Sequence, residues 1–168
     1  MKIVVNKNAD PEVYRDLLNH FHKEFVKDKH HYDKDYKLKP GFIKFAYAIA
    51  YNDGLGEVTT EYNDCHIPDY SNEIMAYAGY EIFETKVGIE ARTHALACRP
   101  AYRGLGIMTK LISKLESLAS ENNVKVHREM CNPISNALFL KLGWKETGVY
   151  RVRKDGERCQ IRSEKYYY

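Results

Sequence analysis

Between Phe45 and Thr85 the chain contains no lysine and no arginine. The same stretch holds Asp53, Glu57, Glu61, Asp64, Asp69, Glu73, Glu81 and Glu84, so the overall charge of +3 is an acidic middle of −8 set between flanks that total +11. A net charge that small gives no argument for nucleic-acid binding by itself. Long apolar runs are missing as well, and without about 18 consecutive apolar residues there is no candidate for a membrane-spanning helix. The opening "MKIVVNKNAD" lacks the apolar core and cleavage site of a secretion signal, so a cytoplasmic location is expected. Cysteine is scarce: Cys65, Cys98, Cys131 and Cys159 are far apart and form no C-x-x-C pair. That spacing excludes a zinc ribbon and offers no disulfide framework. His20 and His22 would point about 200° apart on a helix, which keeps them from sharing a metal from one face, and no metal is expected.

What is present reads as one mixed α/β domain over residues 1–168, with no repeat and no linker. "KIVVN" is a short first strand. Asp10 followed by Pro11 is a helix start, and Val13, Leu17, Leu18, Phe21 and Phe25 recur at helical spacing. Residues 27–40 read as a charged, tyrosine-rich loop with one helical turn at most. Strands are expected over 42–54, 73–85 and 87–98; residues 55–73 are polar and acidic, with "HIPDYSN" (66–72) read as a loop. A helix follows from Gly104 to about 120, its apolar face made by Ile107, Leu111, Ile112, Leu115 and Leu118. Residues 124–131 form another strand candidate, and 133–144 a short helix that starts at Asn132-Pro133 and stops at Gly143. Lys154-Asp155-Gly156 between two strand-like runs is the best hairpin signal in the chain. The strands at 87–98 and 124–131, joined by a helix, make a βαβ crossover if they run parallel.

The informative stretch is "PAYRGLGIM", residues 100–108, at a strand-to-helix turn. A helix N-terminus carries unpaired N–H groups and a partial positive charge, and glycines ahead of it let the backbone approach an anion. The turn is therefore suited to phosphate. It is not a Walker loop, which needs Gly-Lys-Ser/Thr, and Thr109 stands where the dinucleotide fingerprint would require glycine.

Two motifs in order give the turn its context. Arg103-Gly104-Leu105-Gly106-Ile107-Met108, preceded by Pro100-Ala101-Tyr102, resembles the R/Q-x-x-G-x-G/A turn of the GNAT family of acetyl-CoA-dependent N-acyltransferases. "NPISNALFLKLGW" (132–144) resembles that family's Asn…Tyr-x-Lys-x-Gly-Phe helix. The resemblance covers the C-terminal half well and the N-terminal half in element order only. It implies a central, mostly antiparallel sheet with a parallel βαβ core and a C-terminal β-hairpin. It also implies that Arg103, Gly104, Leu105, Gly106, Ile107 and Met108 hold the pyrophosphate of coenzyme A, with charge added by Lys110 or Lys114. Leu96, Ala97 and Cys98 would pair through their backbone with the pantetheine arm, and Asn132 and Phe139 would flank it. Two positions depart from the pattern. Met108 stands where Gly or Ala is usual. Phe139 stands where the family often has a tyrosine that protonates the leaving thiolate, so Ser135, Tyr102 or water must supply that proton.

Acyl transfer to an amine needs a base for the amine proton and an N–H to polarise the thioester carbonyl. Glu90 and His94, four apart on one strand, are the base candidates, and the backbone N–H near Ala97 or Cys98 is the oxyanion candidate. If the acidic stretch 45–85 borders the acceptor, a cationic amine is expected: a polyamine, a lysine-like or protein amine, or an amino sugar. Tyr47, Tyr51, Tyr62, Tyr70, Tyr77 and Tyr80 would frame the amine or simply pack. Two alternatives use the same fold. Phe139 suggests an acyl-CoA-binding domain with weak catalysis. The basic stretches Lys23–Lys44 and 151–168 suggest action on aminoacyl-tRNA, which the acidic middle argues against. The tyrosine-rich C-terminal strand reads as an edge that could pair with a second copy.

Overall fold

The computed structural model describes residues 1–26, 37–64 and 66–167. The expected loop at 27–40 thus lies mostly outside the described residues, as do His30, His31, Cys65, Tyr168 and the middle of the basic stretch from Lys23 to Lys44.

The chain begins with β1 (Lys2–Asn6) and α1 (Pro11–Phe25). The Asp10 carboxylate accepts from the Glu12 amide at 2.9 Å, and Pro11 occupies the first helical position, where its missing N–H costs nothing. Strands β2 (Phe42–Asn52), β3 (Thr59–Asn63), β4 (Glu73–Thr85) and β5 (Gly88–Cys98) follow. Helix α2 (Ile107–Glu121) crosses over to β6 (Val126–Cys131), α3 (Pro133–Lys141) leads out of it, and β7 (Lys145–Val152) and β8 (Arg158–Tyr166) close the chain as a hairpin. Gly156 takes φ +87° in the turn of that hairpin, as the Asp-Gly signal requires.

All eight strands form one sheet in the order β3-β1-β2-β4-β5-β6-β8-β7. Among the described residues only β1–β3 and β5–β6 pair in parallel, so the sheet is mostly antiparallel with the expected βαβ crossover at its centre. Three points differ from expectation. The polar, acidic stretch 55–73, in which no strand is expected, contains β3, which is bound to β1 by backbone pairing and by the Lys2–Glu61 ion pair (2.7 Å), with Lys7 and Asp64 pairing at 3.7 Å just past the two strands. An edge strand needs no buried face, so its sequence "TTEYN" carries no apolar alternation to read. The C-terminal strand is not an edge: β8 lies between β6 and β7, and β7 is the free margin. The helix at 133 also stops earlier than expected, and Trp144 lies outside it with its amide bonded to the Phe139 carbonyl at 3.1 Å.

Each face of the sheet carries a core. The α2 face buries Ala46, Ala48, Ala78, Ile82, Ile107, Leu111, Ile112, Leu115 and Phe139, so the predicted stripe of α2 is the buried one. The α1 face is aromatic: Tyr14, Phe25, Phe45, Tyr47 and Tyr77 pack with Leu17 and Ile49. Gly79, mid-strand in β4, makes room for that packing. A Cβ there would stand 2.7 Å from the Tyr14 ring and 2.9 Å from Phe45. Neither ring can retreat, because both are buried among their neighbours. Gly79→Ala is therefore expected to destabilise the protein by about 1–3 kcal/mol through overpacking. A lowered urea midpoint with an unchanged slope is the measurement that checks it.

Candidate active site

Strands β5 and β6 pair at only two positions, Glu90 with Val126 and Ala91 with His127. Beyond these they part. A groove of about 2010 Å³ runs through the gap, from the turn after β5 at one end to the β4–β5 turn and the residues just before β2 at the other. Between the pairs Tyr77–Ala97 and Gly79–His94, one residue of β4, Ala78, faces two of β5, which places a bulge at Ala95-Leu96. The Ala95 carbonyl there accepts from the Tyr14 hydroxyl of α1.

At the first end, Gly104 (φ +80°) and Gly106 (φ +74°) both take the left-handed conformation that favours glycine. Gly106 is the N-cap of α2 and has no side chain to satisfy the first amides. Among the described residues the amides of Gly106, Ile107, Met108 and Thr109 meet no acceptor, as expected of a bare helix start. A Cβ on Gly104 would find nothing within 4 Å, so the space above the loop is clear. The Lys110 ammonium stands 3.9 Å from where a Cβ of Gly106 would be. Open amides, clear space and a cation fit a phosphate group. Met108 does not spoil this, because its side chain packs against the α2-face core while its amide stays at the helix start. The Arg103 guanidinium is occupied otherwise: it donates to the Cys98 carbonyl at 3.2 Å and to the Phe25 carbonyl, tying the turn to the end of α1.

Leu96, Ala97 and Cys98 line the groove on β5, past the point where β6 pairs with it. Across the gap lie Asn132, Ser135 and Phe139. Asn132 and Ser135 form a capping box: the Ser135 amide donates to Asn132 Oδ1 at 2.8 Å, and the Asn132 amide donates to Ser135 Oγ at 3.1 Å. Phe139 is fully buried against Trp144, ring centroids 4.4 Å apart. Cys98 and Cys131 are free thiols that burial pushes up, Cys131 to about 12.

The far end is rich in charge. Glu90 is nearly buried and paired with Arg128, which also reaches Glu164 at 3.1 Å. His94 bonds the fully buried Glu81 at 2.9 Å, and Arg92 reaches the same carboxylate at 2.9 Å. Burial holds the His94 imidazole below its ordinary value against the pull of Glu81. Burial alone would raise Glu81, but hydrogen bonds from His94, the Lys39 amide and Arg92 together hold it below the usual carboxylate range. Both base candidates thus line the groove, and each already has a charged partner.

A third carboxyl escaped the sequence reading. Glu129 of β6 lies two residues beyond the last paired position, and its Oε2 accepts from the Thr93 amide at 2.9 Å, bridging the parted strands. No ion pair holds it among the described residues. Burial pushes its pKa up to about 7, with the Thr93 amide and the Arg92 charge pulling weakly the other way. Alternation along "VHREMC" was the only available signal, and it cannot tell a carboxyl in a gap from one in solvent.

The acidic middle is placed differently from expectation. Asp53 holds the N-terminal ammonium at 2.7 Å, Glu61 pairs with Lys2 and Asp64 with Lys7, Glu73 accepts from Tyr102 at 2.8 Å, and Glu81 is buried. Of the eight, only Glu84 lines the groove. None of the six tyrosines in that stretch lines it either: Tyr47, Tyr51, Tyr77 and Tyr80 are buried in the cores, and Tyr62 and Tyr70 are exposed elsewhere.

Residues 14–144 match the Acetyltransferase (GNAT) family. No curated protein matches the chain. Among solved structures, a GCN5-related N-acetyltransferase from Kribbella flavida aligns with TM-score 0.57 and 13% identity over 98% of each chain. The ribosomal-protein-S18-alanine N-acetyltransferase of Escherichia coli aligns with TM-score 0.56 and 14% identity over 96% of this chain and 92% of its own. A ribosomal-protein-alanine N-acetyltransferase from Brucella melitensis aligns with TM-score 0.53 and 19% identity over 94% and 79%. At such identities these structures speak for the fold alone. With the family matched over most of its length, and with parted central strands meeting a glycine turn at a helix start, the chain belongs to the GNAT family of acetyltransferases.

Proposed function

We propose that this protein transfers the acetyl group of acetyl-CoA directly to a primary amine, with a general base taking the amine proton. One observation carries the reading: the groove joins an open-amide glycine turn to a charged end by way of the gap between β5 and β6. Acetyl-CoA would supply the activated acyl group. Gly104, Leu105, Gly106, Ile107 and Met108 would bind its pyrophosphate through their amides, with Lys110 adding charge. Arg103 acts by fixing the turn. Leu96, Ala97 and Cys98 would pair with the pantetheine arm through their backbone, and Asn132 and Phe139 would form the facing wall.

For the base the candidates are Glu90, His94 and Glu129. We favour Glu129, because Glu90 is paired with Arg128 and His94 with Glu81, whereas Glu129 is in no ion pair among the described residues. Phe139 has no proton for the leaving thiolate, and we assign that role to Ser135, which lines the groove. A second reading, acyl-CoA binding without efficient turnover, rests on the same Phe139. Binding with no turnover of any amine would select it.

The first test is calorimetric titration of acetyl-CoA into wild type and Gly106→Trp. Micromolar binding that weakens at least about tenfold, or about 1.4 kcal/mol, in the variant is expected. A wild type that binds neither acetyl-CoA nor CoA overturns the reading.

The second is a pH profile. A base must be deprotonated, so kcat/KM is expected to rise through about pH 7 as Glu129 ionises. Arg92 on β5 faces it with its charge, and Tyr80 on β4 and Cys131 on its own strand are both pushed up by burial, away from that window. Glu129→Gln is expected to lower the rate about 10²- to 10⁴-fold and to abolish the limb near pH 7. Stability gives an independent readout. The Glu129 pKa is raised in the folded state, so its stabilising contribution is complete below the ordinary carboxylate value and lost as pH rises through about 7. Glu129→Gln should remove that loss from the thermal midpoint.

A further inference from the structure

The end of the groove away from the glycine turn is layered by charge. Three guanidiniums line it, and each rests on a more deeply buried carboxylate. Arg92, 18% exposed, sits on Glu81 at 0%. Arg128, 33% exposed, sits on Glu90 at 10% and Glu164 at 7%. Arg162, 35% exposed, shares Glu164 at 2.8 Å. The chain Glu90–Arg128–Glu164–Arg162 crosses from β5 through β6 to β8. Tyr166 donates to Glu164 at 2.9 Å and completes the carboxylate's coordination.

The charges of that chain cancel, but their depths do not. An incoming molecule meets guanidiniums first, with the acids beneath them. Lys39 and Lys86 line the same end, against Glu84 and the half-buried Glu129. Pairing from below also fixes the guanidiniums in place, so little side-chain entropy remains to be lost when a ligand is bound. Arg128 uses Nε and Nη1 for its two glutamates, which leaves Nη2 for another acceptor. A fixed guanidinium is suited to a planar oxyacid such as a carboxylate, and to phosphate. A polyamine approaching the same wall would meet like charge.

We propose that the acceptor is a primary amine whose own molecule carries a carboxylate or a phosphate, and that Arg128 and Arg162 recognise that group. This rests on the acetyltransferase reading above. It replaces the cationic acceptor expected from the acidic stretch 45–85, whose carboxylates lie almost entirely elsewhere.

The test compares matched acceptors in steady-state thiol release from acetyl-CoA by the full chain. The pairs are alanine and alaninamide, O-phosphoethanolamine and ethanolamine, glucosamine 6-phosphate and glucosamine, with spermidine alone. At least one anionic member is expected to exceed its neutral partner about tenfold in kcat/KM, mainly through KM, and which pair responds separates carboxylate from phosphate. Arg162→Gln is expected to pull that ratio toward one, and raised salt to shrink it. Arg128→Gln should do so more strongly. Because that change leaves two buried acids short of a partner, the double variant Glu90→Gln/Arg128→Gln, which removes one charge of each sign, accompanies it. Preference for spermidine or for the neutral members overturns the proposal. So does a ratio that both arginine substitutions leave unchanged. Acetyl-CoA binding with no turnover of any acceptor overturns the acceptor class while leaving the cofactor reading standing. Absence of acetyl-CoA binding is the separate result that overturns the acetyltransferase reading itself.

Discussion

The parting of β5 from β6 is the constraint on which the rest of the site depends. Parallel neighbours ordinarily stay paired along their length, and these two pair at two positions only. Several features hold the rest apart at fixed distance. The crossover through α2 anchors the far ends, and its helix is buried along one face against the sheet. The Arg103 guanidinium ties the end of β5 to the end of α1, away from β6. On the other side, α3 is locked to the hairpin by Asn136, which donates to Glu146 at 2.7 Å and accepts from Ser163 at 2.5 Å. The gap is therefore a built feature, and its unpaired strand edges are the natural place for an extended ligand to add backbone bonds.

Burying charge at the far end of that gap is costly unless every group is paired. The structure meets this condition with shared carboxylates. Glu81 takes three donors and Glu164 three. Among the described residues Glu129 is the exception: it accepts from the Thr93 amide but is in no ion pair, so the upward push of burial is not fully offset. A carboxyl left short of partners in a groove is where a proton can be taken and given near neutral pH, which is why an apparent defect in the pairing becomes the best place to look for chemistry.

The two helices of the C-terminal half and the Asp-Gly hairpin were legible because each rests on local rules: a cap, a glycine, a stripe of apolar residues. The alternation of strands and helices was enough for the order of the sheet's centre, and the Gly-x-Gly turn was enough to locate the open amides at the start of α2. What stayed hidden depends on pairing between distant segments. Strand β3 has no apolar face to announce it and exists because β1 offers an edge. The place of β8 inside the sheet is a choice between equally strand-like segments. The acidic stretch misled for a related reason: charge along the sequence says nothing of which residues a cation from another strand has already claimed. Glu129 became visible only when β6 was seen to diverge from β5 beside it.

Phe139 shows how such a departure from the family pattern is absorbed. Its ring packs on Trp144, and Trp144 in turn packs edge-on against His127 at 4.5 Å. The Trp144 indole donates to Glu116 of α2 at 2.6 Å, and Glu116 takes Lys165 of β8 at 2.7 Å. Lys165 also donates to the Leu142 carbonyl just past α3 at 3.0 Å. Position 139 is thus one member of a chain that joins α3, α2 and β8 behind the groove. An aromatic ring is what that chain requires, and a ring without a hydroxyl satisfies it without adding a polar atom to a fully buried site. The packing role of the position and any proton-donating role are separable, and here only the first is retained.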